Sequence, residues 1–472
     1  MAARSRISRT ASARRRTITV RKNGVIRTYR AALNFLNSAT DYEKQGRVGY
    51  NHTNFSLSRM NRLLKALGNP HKKLRAVHIA GTKGKGSTAT MLTHMLRGCG
   101  YTVGLYTSPH MIDLRERITV NGRMICESEM TRIMNKIAPV VKRLAKDAPT
   151  FFEIMTAAAC LHFVNKKADI AVLETGLGGR LDSTNVIRPA VCGITSISYD
   201  HTSQLGSTLG KIAEEKAGIF KSGVPVVSAP QPPEVKRVLR RAANKSRAPL
   251  RFAGDDIEFS YRFESSRAVG PHTRVCLTTD ASRFEHLHVP LLGEHQAINC
   301  GVALGLVDAL KERGFKIDDQ KAIEGLALVE LPGRMELIND DPRILVDGAH
   351  NAASMAALMR AIGQNIPYDS MVVIFGCQAD KDIPGMLQQI QFGADKIIFV
   401  PTPSPRSADP TMLASAFGEL SGKMAQVAED AAEALTIAGN AVGRDDLICT
   451  TGSFYLVGEV KREVTQRARL VH

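Results

Sequence analysis

Apolar positions along the chain fall into two alternating rhythms. Over 55–67 they recur at Leu57, Met60, Leu63, Leu64 and Leu67, the spacing of one buried helix face, until Gly68-Asn69-Pro70 stops it. A short unbroken run follows, Ala76-Val77-His78-Ile79-Ala80, which has strand length. It opens directly into Gly81-Thr82-Lys83-Gly84-Lys85-Gly86-Ser87-Thr88, after which helical spacing resumes from Ala89 to Arg97. Strand-like runs at 102–106, 170–174, 191–197 and 224–227 alternate with helical stretches. This pattern predicts an α/β fold with a mostly parallel sheet covered on both faces, and ligands at the carboxyl ends of the strands.

From 253 to 289 the texture shortens and alternates, with Gly and Pro, which predicts an antiparallel excursion attached to the same domain. Helices are expected at 295–313 and 320–327. Leu331-Pro332-Gly333-Arg334 then marks a boundary, beyond which strands at 343–346, 371–375, 396–400 and 447–450 restart the alternation as a second, smaller α/β domain. The expected division is a basic, disordered leader at 1–28, a P-loop ATPase domain at 29–330 and a Rossmann-like domain at 331–472. At 472 residues the chain has room for two cores. There is no internal repeat and no apolar run near the ~18 residues needed to span a bilayer.

The formal charge of +18 changes the picture less than its size suggests. Residues 1–30 carry ten Arg or Lys and no acid, so the remainder holds 53 basic against 45 acidic residues, or +8. That balance suits anionic small-molecule substrates without calling for a nucleic-acid partner. The leader is Arg- and Ser-rich like an organellar transit peptide and lacks the apolar stretch of a secretory signal; a solvated extension is the plainer reading. Eight dispersed cysteines with no C-x-x-C pair indicate buried reduced thiols rather than disulfides or a zinc site.

Strand, glycine-rich loop and helix together form a phosphate-binding unit. Inward-facing backbone N–H groups and a helix N-terminus hold polyphosphate, Lys85 neutralises the transferred group, and the Ser87 hydroxyl reaches Mg²⁺. Glu174 ends an apolar strand ahead of a glycine-rich loop, where it can hold that metal directly or through water. His201 follows another strand end and, with Ser108, joins Glu174 on the same predicted edge. Lys216, by spacing alone, is a surface lysine on the helix that contains it.

The blocks His78 to Ser87, Tyr106-Thr107-Ser108-Pro109-His110, Glu174 to Asn185, Glu215-Lys216-Ala217-Gly218-Ile219, Pro332-Gly333-Arg334, Asp347-Gly348-Ala349-His350-Asn351 and Thr451-Gly452-Ser453 run in the order seen in one family. They resemble the bifunctional dihydrofolate synthase/folylpolyglutamate synthase family of the Mur-ligase superfamily. The resemblance implies a soluble, cytoplasmic, monomeric enzyme with a Mur-ligase central domain and a C-terminal domain, and with ATP, folate and L-glutamate meeting between them. It implies no membrane or nucleic-acid partner. Ser108, Glu174 and His201 would be magnesium ligands. Lys216 would be carbamylated to support a second Mg²⁺ site, and a monovalent cation such as K⁺ would accompany them. Lys85, His201 and Lys216 would form the catalytic set. Nucleotide contacts would come from Gly84, Lys85, Gly86, Ser87, Asn299, Arg334 and Asp347, and pterin-side contacts from Thr150, Phe151, Phe152, Glu153, Leu181, Asp182 and Ser183.

The implied reaction phosphorylates a pteroate or γ-glutamyl carboxylate with ATP; the amine of L-glutamate then attacks the acyl phosphate, giving an amide, ADP and phosphate. Catalysis is then positioning and electrostatics. Lys83 departs from the Asn of many bacterial members, Ala352 replaces a usual Pro, and the leader has no counterpart in the family core. Glu174 to Asp182 looks more like the bacterial bifunctional branch. A Mur-type ligase for a cell-wall precursor would share the P-loop but not Ser108-Pro109-His110 or Phe151-Phe152-Glu153. A P-loop switch or nucleic-acid ATPase would need a basic patch interleaved with aromatics, which the chain lacks.

Overall fold

The structure, a computed structural model, describes residues 25–43, 49–51, 53–266, 270–289, 291–423 and 425–471; positions 1–24 of the expected leader lie outside them. The largest sheet contains β1 (Ala76–Ala80), β2 (Val103–Tyr106), β3 (Ile118–Val120), β4 (Arg123–Met124), β5 (Ile170–Glu174), β6 (Val191–Ile194), β7 (Val226–Ser228) and β8 (Leu250–Phe252). Their order is β4-β3-β2-β5-β1-β6-β7-β8. β2, β5, β1, β6, β7 and β8 are parallel, and β3 and β4 turn back as an edge hairpin. Every residue of β1, β5 and β6 is buried, since helices cover both faces; this is why these strands read as apolar runs rather than alternations. Connections leave β1 toward β2 on one side, and β5 is followed by β6 on the other, so a crevice opens at the carboxyl end of β1.

The antiparallel excursion forms its own sheet, ordered β11-β10-β9, from β9 (Glu258–Ser266), β10 (Gly270–Thr278) and β11 (Arg283–Val289). It packs on the helix Glu294–Glu312, where a Cβ at Gly301 would strike the ring of Phe259. The third sheet holds β12 (Glu336–Asp340), β13 (Arg343–Val346), β14 (Met371–Phe375), β15 (Lys396–Phe399), β16 (Ala425–Val427) and β17 (Leu447–Thr451). Its order is β12-β13-β17-β14-β15-β16, parallel except for β12.

Several element ends differ from the expected ones for identifiable reasons. The helix expected at 55–67 runs Leu57–Ala66 because the Ser56 hydroxyl caps it by accepting from the Arg59 amide. The helix expected from Ala89 begins four residues earlier, at Lys85, with Gly84 as its left-handed N-cap, so the phosphate loop winds directly into the helix. The strand expected to reach 197 ends at Ile194. Beyond it the chain leaves the ladder to brace the loop: the Thr82 and Lys83 amides donate to the Ser196 carbonyl at 3.0 and 3.3 Å. The strand expected from 224 starts after Pro225, which has no N–H to give. The helix Phe151–Asn165 is apolar nearly all round and buried, so no periodicity marked it. None of the eight cysteines is in a disulfide, and five are buried. Among the described residues no helix is long and apolar enough to cross a membrane.

Candidate active site

β1 delivers the phosphate loop. Gly81 and Gly84 have φ of +153° and +79°; a Cβ on the first would run into the Thr195 hydroxyl, and on the second into the Asn299 amide. Both positions therefore admit only glycine. Past Gly84 the amides of Lys85–Gly98 open toward the loop, where their dipoles sum to a positive end. The Lys85 ammonium lies 3.4 Å from the Thr82 carbonyl and 3.9 Å from Glu174 Oε1.

Glu174 closes β5 and is buried, 4% exposed. Its Oε2 accepts from the Ser108 amide at 3.1 Å, and Ser108 precedes a cis bond to Pro109 in the loop after β2. Burial pushes this carboxyl up, against the pull of Lys85. His201 sits after β6 with φ +49°, a conformation that a non-glycine residue holds only when its surroundings impose it. The cleft walls first, and then Lys381, Lys216 and Lys85, push its imidazole down to about 4 against the pull of Asp200, although the side chain keeps 43% of its surface open. Among the described residues no three His, Cys, Asp or Glu side chains are grouped to hold a metal. A cation here would therefore draw on Glu174, His201, a hydroxyl and substrate oxygens.

Lys216 overturns the surface reading drawn from spacing: it is 4% exposed and donates to the Gly81 carbonyl at 2.6 Å. Burial, reinforced by Lys85, pushes its amine down to about 7. It shares the inner stripe of Leu209–Ala217 with Ile212 and Ala213, and so points at the back of the phosphate loop.

Asn299 approaches from the helix Glu294–Glu312, and the Thr88 hydroxyl donates to its carbonyl at 3.3 Å. Arg334 is half-buried with its guanidinium 4.1 Å above the ring of Phe454, and desolvation in the cleft lowers its basicity. Asp347 follows β13 directly with both oxygens engaged, accepting from the Met335 and Ala349 amides at 2.9 and 2.8 Å. At the other end of the cleft, the Thr150 hydroxyl and the Glu153 carboxylate form a reciprocal cap on Phe151–Asn165. Glu153 Oε2 also accepts from Arg59 Nε at 2.7 Å. Asp182 organises its loop by accepting from the Gly176, Leu177 and Thr184 amides and from the Thr184 hydroxyl. Ser183 pairs with Thr156 at 2.9 Å, and Leu181 is buried beside the slot.

Of the residues singled out from the sequence, all but Phe151 line one cleft of about 500 Å³ whose walls come from both the first and the third sheet. Phe151 turns into the core, lying 5.4 Å beneath the Arg117 guanidinium and lining a separate cavity of about 220 Å³.

Two family models match the chain: the Mur ligase middle domain over residues 79–307, and the Mur ligase glutamate ligase domain over residues 333–454. The dihydrofolate synthase/folylpolyglutamate synthase of Bacillus subtilis is 36% identical over 86% of this chain and 94% of its own length. The folylpolyglutamate synthase of Lacticaseibacillus casei is 34% identical over 85% and 92%. The chain belongs to the dihydrofolate synthase/folylpolyglutamate synthase family. The Mycobacterium tuberculosis folylpolyglutamate synthase complexed with ADP superposes with a TM-score of 0.83 at 30% identity, covering 92% of this chain and 98% of that one. The E. coli FolC in complex with DHPP and ADP gives 0.79 at 28% identity, covering 94% and 99%. As a member of this family the chain is an ATP-dependent ligase with the Mur-ligase fold.

Sequence reasoning missed several cleft residues. Asp200 bridges the two domains: Lys381 Nζ lies 3.3 Å from its Oδ1, and Asn351 Nδ2 donates to its Oδ2 at 3.4 Å. Lys381 follows the carboxyl end of β14, so the strand-end rule that picked out Glu174 would also have found it. Arg59 and His295 line the cleft, and Tyr50 braces its Leu181 wall from behind by accepting from the Leu181 amide at 3.0 Å; none of the three has a local signature in the sequence.

Proposed function

We propose that this cleft joins L-glutamate to dihydropteroate and to the γ-carboxylate of (tetrahydro)folates at the expense of ATP, through an acyl phosphate. The observation that carries this reading is the single cleft with a phosphate loop, Glu174 and buried Lys216 at one end and the Phe152, Glu153 and Leu181 slot at the other. ATP's γ-phosphoryl group is positioned by the loop amides, with Lys85 offsetting the charge on the transferring oxygens. The acceptor carboxylate takes the phosphoryl group, and the glutamate amine then displaces phosphate, so no side chain acts as a nucleophile. The relatives crystallised with ADP support the nucleotide assignment.

The donors fit magnesium: Glu174 Oε1 is a buried, hard oxygen beyond hydrogen-bond distance of Lys85, and Ser108 and His201 line the same cleft. Bound Mg²⁺ would neutralise phosphoryl oxygens. The near-neutral amine of Lys216 can add CO₂, and the resulting carbamate would supply a further carboxylate for a second metal site. The same reading divides the chain at 331, between the helix Asp319–Ala327 of the ATPase domain and β12 of the C-terminal domain.

Phosphate release from purified protein with Mg-ATP and L-glutamate, comparing 7,8-dihydropteroate with tetrahydrofolate and verifying product masses, tests the proposal. Turnover with both acceptors is expected; turnover with tetrahydrofolate alone would remove the synthase half, and none with either would overturn the assignment.

A further inference from the structure

We infer that Lys83, the first of the two lysines in the phosphate loop, is a second phosphate-binding cation that sets ground-state nucleotide affinity, apart from the part Lys85 plays in transfer. This rests on the nucleotide reading of the cleft given above. Four lysines line that cleft: Lys83, Lys85, Lys216 and Lys381. Lys85 has the Thr82 carbonyl and Glu174, Lys216 has the Gly81 carbonyl, and Lys381 has Asp200. Lys83 alone has neither a hydrogen bond nor an ion pair for its ammonium among the described residues.

Its backbone is fixed on both sides. The Lys83 amide donates to the Ser196 carbonyl at 3.3 Å, and Gly84 follows in the left-handed region. The side chain therefore leaves the rim of the same loop whose amides face the polyphosphate. Burial pushes the ammonium down to about 8, with Asp200 as the opposing attraction, and Lys83 in turn depresses the basicity of His295. Asp200 does not take it as a partner, because its oxygens already serve Lys381, Asn351 and, at 3.9 Å, His350. A half-buried ammonium that lines the cleft without a protein partner has an anion entering the loop as its complement.

The two loop lysines face different company. Lys85 stands with Glu174 and Lys216, on the side where the phosphoryl group is transferred. Lys83 stands with His295 and Asp200, on the side that meets the C-terminal domain. A compact charge there is felt by ATP before transfer and by ADP after it, so it contributes uniform binding rather than transition-state stabilisation.

The test uses the full chain with Lys83→Asn, Lys83→Met and Lys83→Arg. ADP is titrated with Mg²⁺ and without pteridine or glutamate, and ATP kinetics follow. The ADP Kd should rise about 10- to 100-fold in the Asn and Met variants, as for a lost charged hydrogen bond, and stay within about threefold in the Arg variant. The KM for ATP should rise in step while kcat stays within about threefold of wild type. The Met variant has no charge to bury, so its thermal midpoint should not fall, which separates lost binding from lost folding. Unchanged ADP affinity in the Asn and Met variants, or a fall in kcat with KM unmoved, would overturn the inference. A wild type that does not bind ADP would overturn the nucleotide reading itself.

Discussion

Replacing Lys216 with methionine should make the protein more stable and inactive at once. The amine is buried, has the Gly81 carbonyl as its hydrogen-bond acceptor, and is pushed down to about 7 by burial and then by Lys85, from an ordinary 10.5. The unfolded chain holds this proton up to 10.5, while the folded protein releases it above 7. The site's contribution to stability therefore climbs as pH rises from 7 to 10.5, and is lowest and flat below 7. A fall of about 3.5 units corresponds to roughly 5 kcal/mol against the folded state at pH 7. Methionine keeps the length and removes the charge, forfeiting one charged hydrogen bond of about 1.5–3 kcal/mol. The net gain is about 2–4 kcal/mol in CO₂-free buffer at pH 7, shrinking to near zero by about pH 9.5.

Chemical denaturation of wild type and variant at the two pH values measures this directly. The same titration governs carbamate formation, because CO₂ adds only to the neutral amine. About half of a lysine titrating near 7 is neutral at that pH, against roughly 0.03% of an ordinary one. Bicarbonate should therefore raise wild-type turnover, do so less as pH falls below 7, and do nothing for the variant. A variant that is no more stable at pH 7, or whose advantage persists undiminished at pH 9.5, would refute the account of Lys216 as a desolvated amine.

Other substitutions separate the remaining parts of the site. Lys85→Ala should lower kcat about 100- to 1,000-fold, the loss seen when one charge-stabilising donor is removed, with less effect on ADP binding; wild-type turnover would remove Lys85 from the mechanism. Gly84→Ala forces a side chain into the left-handed region and against Asn299, costing about 1–3 kcal/mol and closing the loop to nucleotide. Equilibrium dialysis with ADP reads that loss, and retained affinity would mean the loop gives way. Asp200→Asn breaks the bridge to Lys381, about 1–3 kcal/mol for a largely buried pair, and should open the domains. An unchanged radius of gyration in solution scattering would show that the bridge does not hold them closed.

How much of this could be read in advance depended on whether the signal was local. The phosphate loop was legible because strand, glycines and helix adjoin in sequence and each glycine has a backbone reason to be there. Lys216 was misread although its signal was present: it lies one turn after Ile212, so a lysine on the apolar stripe should have been expected inside. Asn299 carries no local mark. It meets the loop only because the helix Glu294–Glu312 packs on Lys85–Gly98, joining Thr88 to a carbonyl 211 positions away. Phe151 and Phe152 were indistinguishable as neighbours, and only the helix phase, about 100° per residue, sends one to the core and the other to the cleft.

The charges of the cleft also explain why its several anionic substrates can share it. Apart from Glu174, four carboxylates of the cleft are already committed: Asp182 and Asp347 to backbone amides, Asp200 to Lys381, Glu153 to Arg59. Their negative charge is spent on holding loops and domains in place rather than on the open space. What faces that space is the loop's amides, Lys83, Lys85, Arg334 and the helix N-terminus, a field that favours polyphosphate and carboxylate alike. Selection among anions must then come from shape. Phe152 packs so closely on Gly176 that a Cβ there would enter its ring, which fixes the wall of the slot beside Leu181. Enlarging that wall should relax the choice of acceptor while leaving ADP binding intact, because the phosphate loop and the slot draw on different elements of the same sheet.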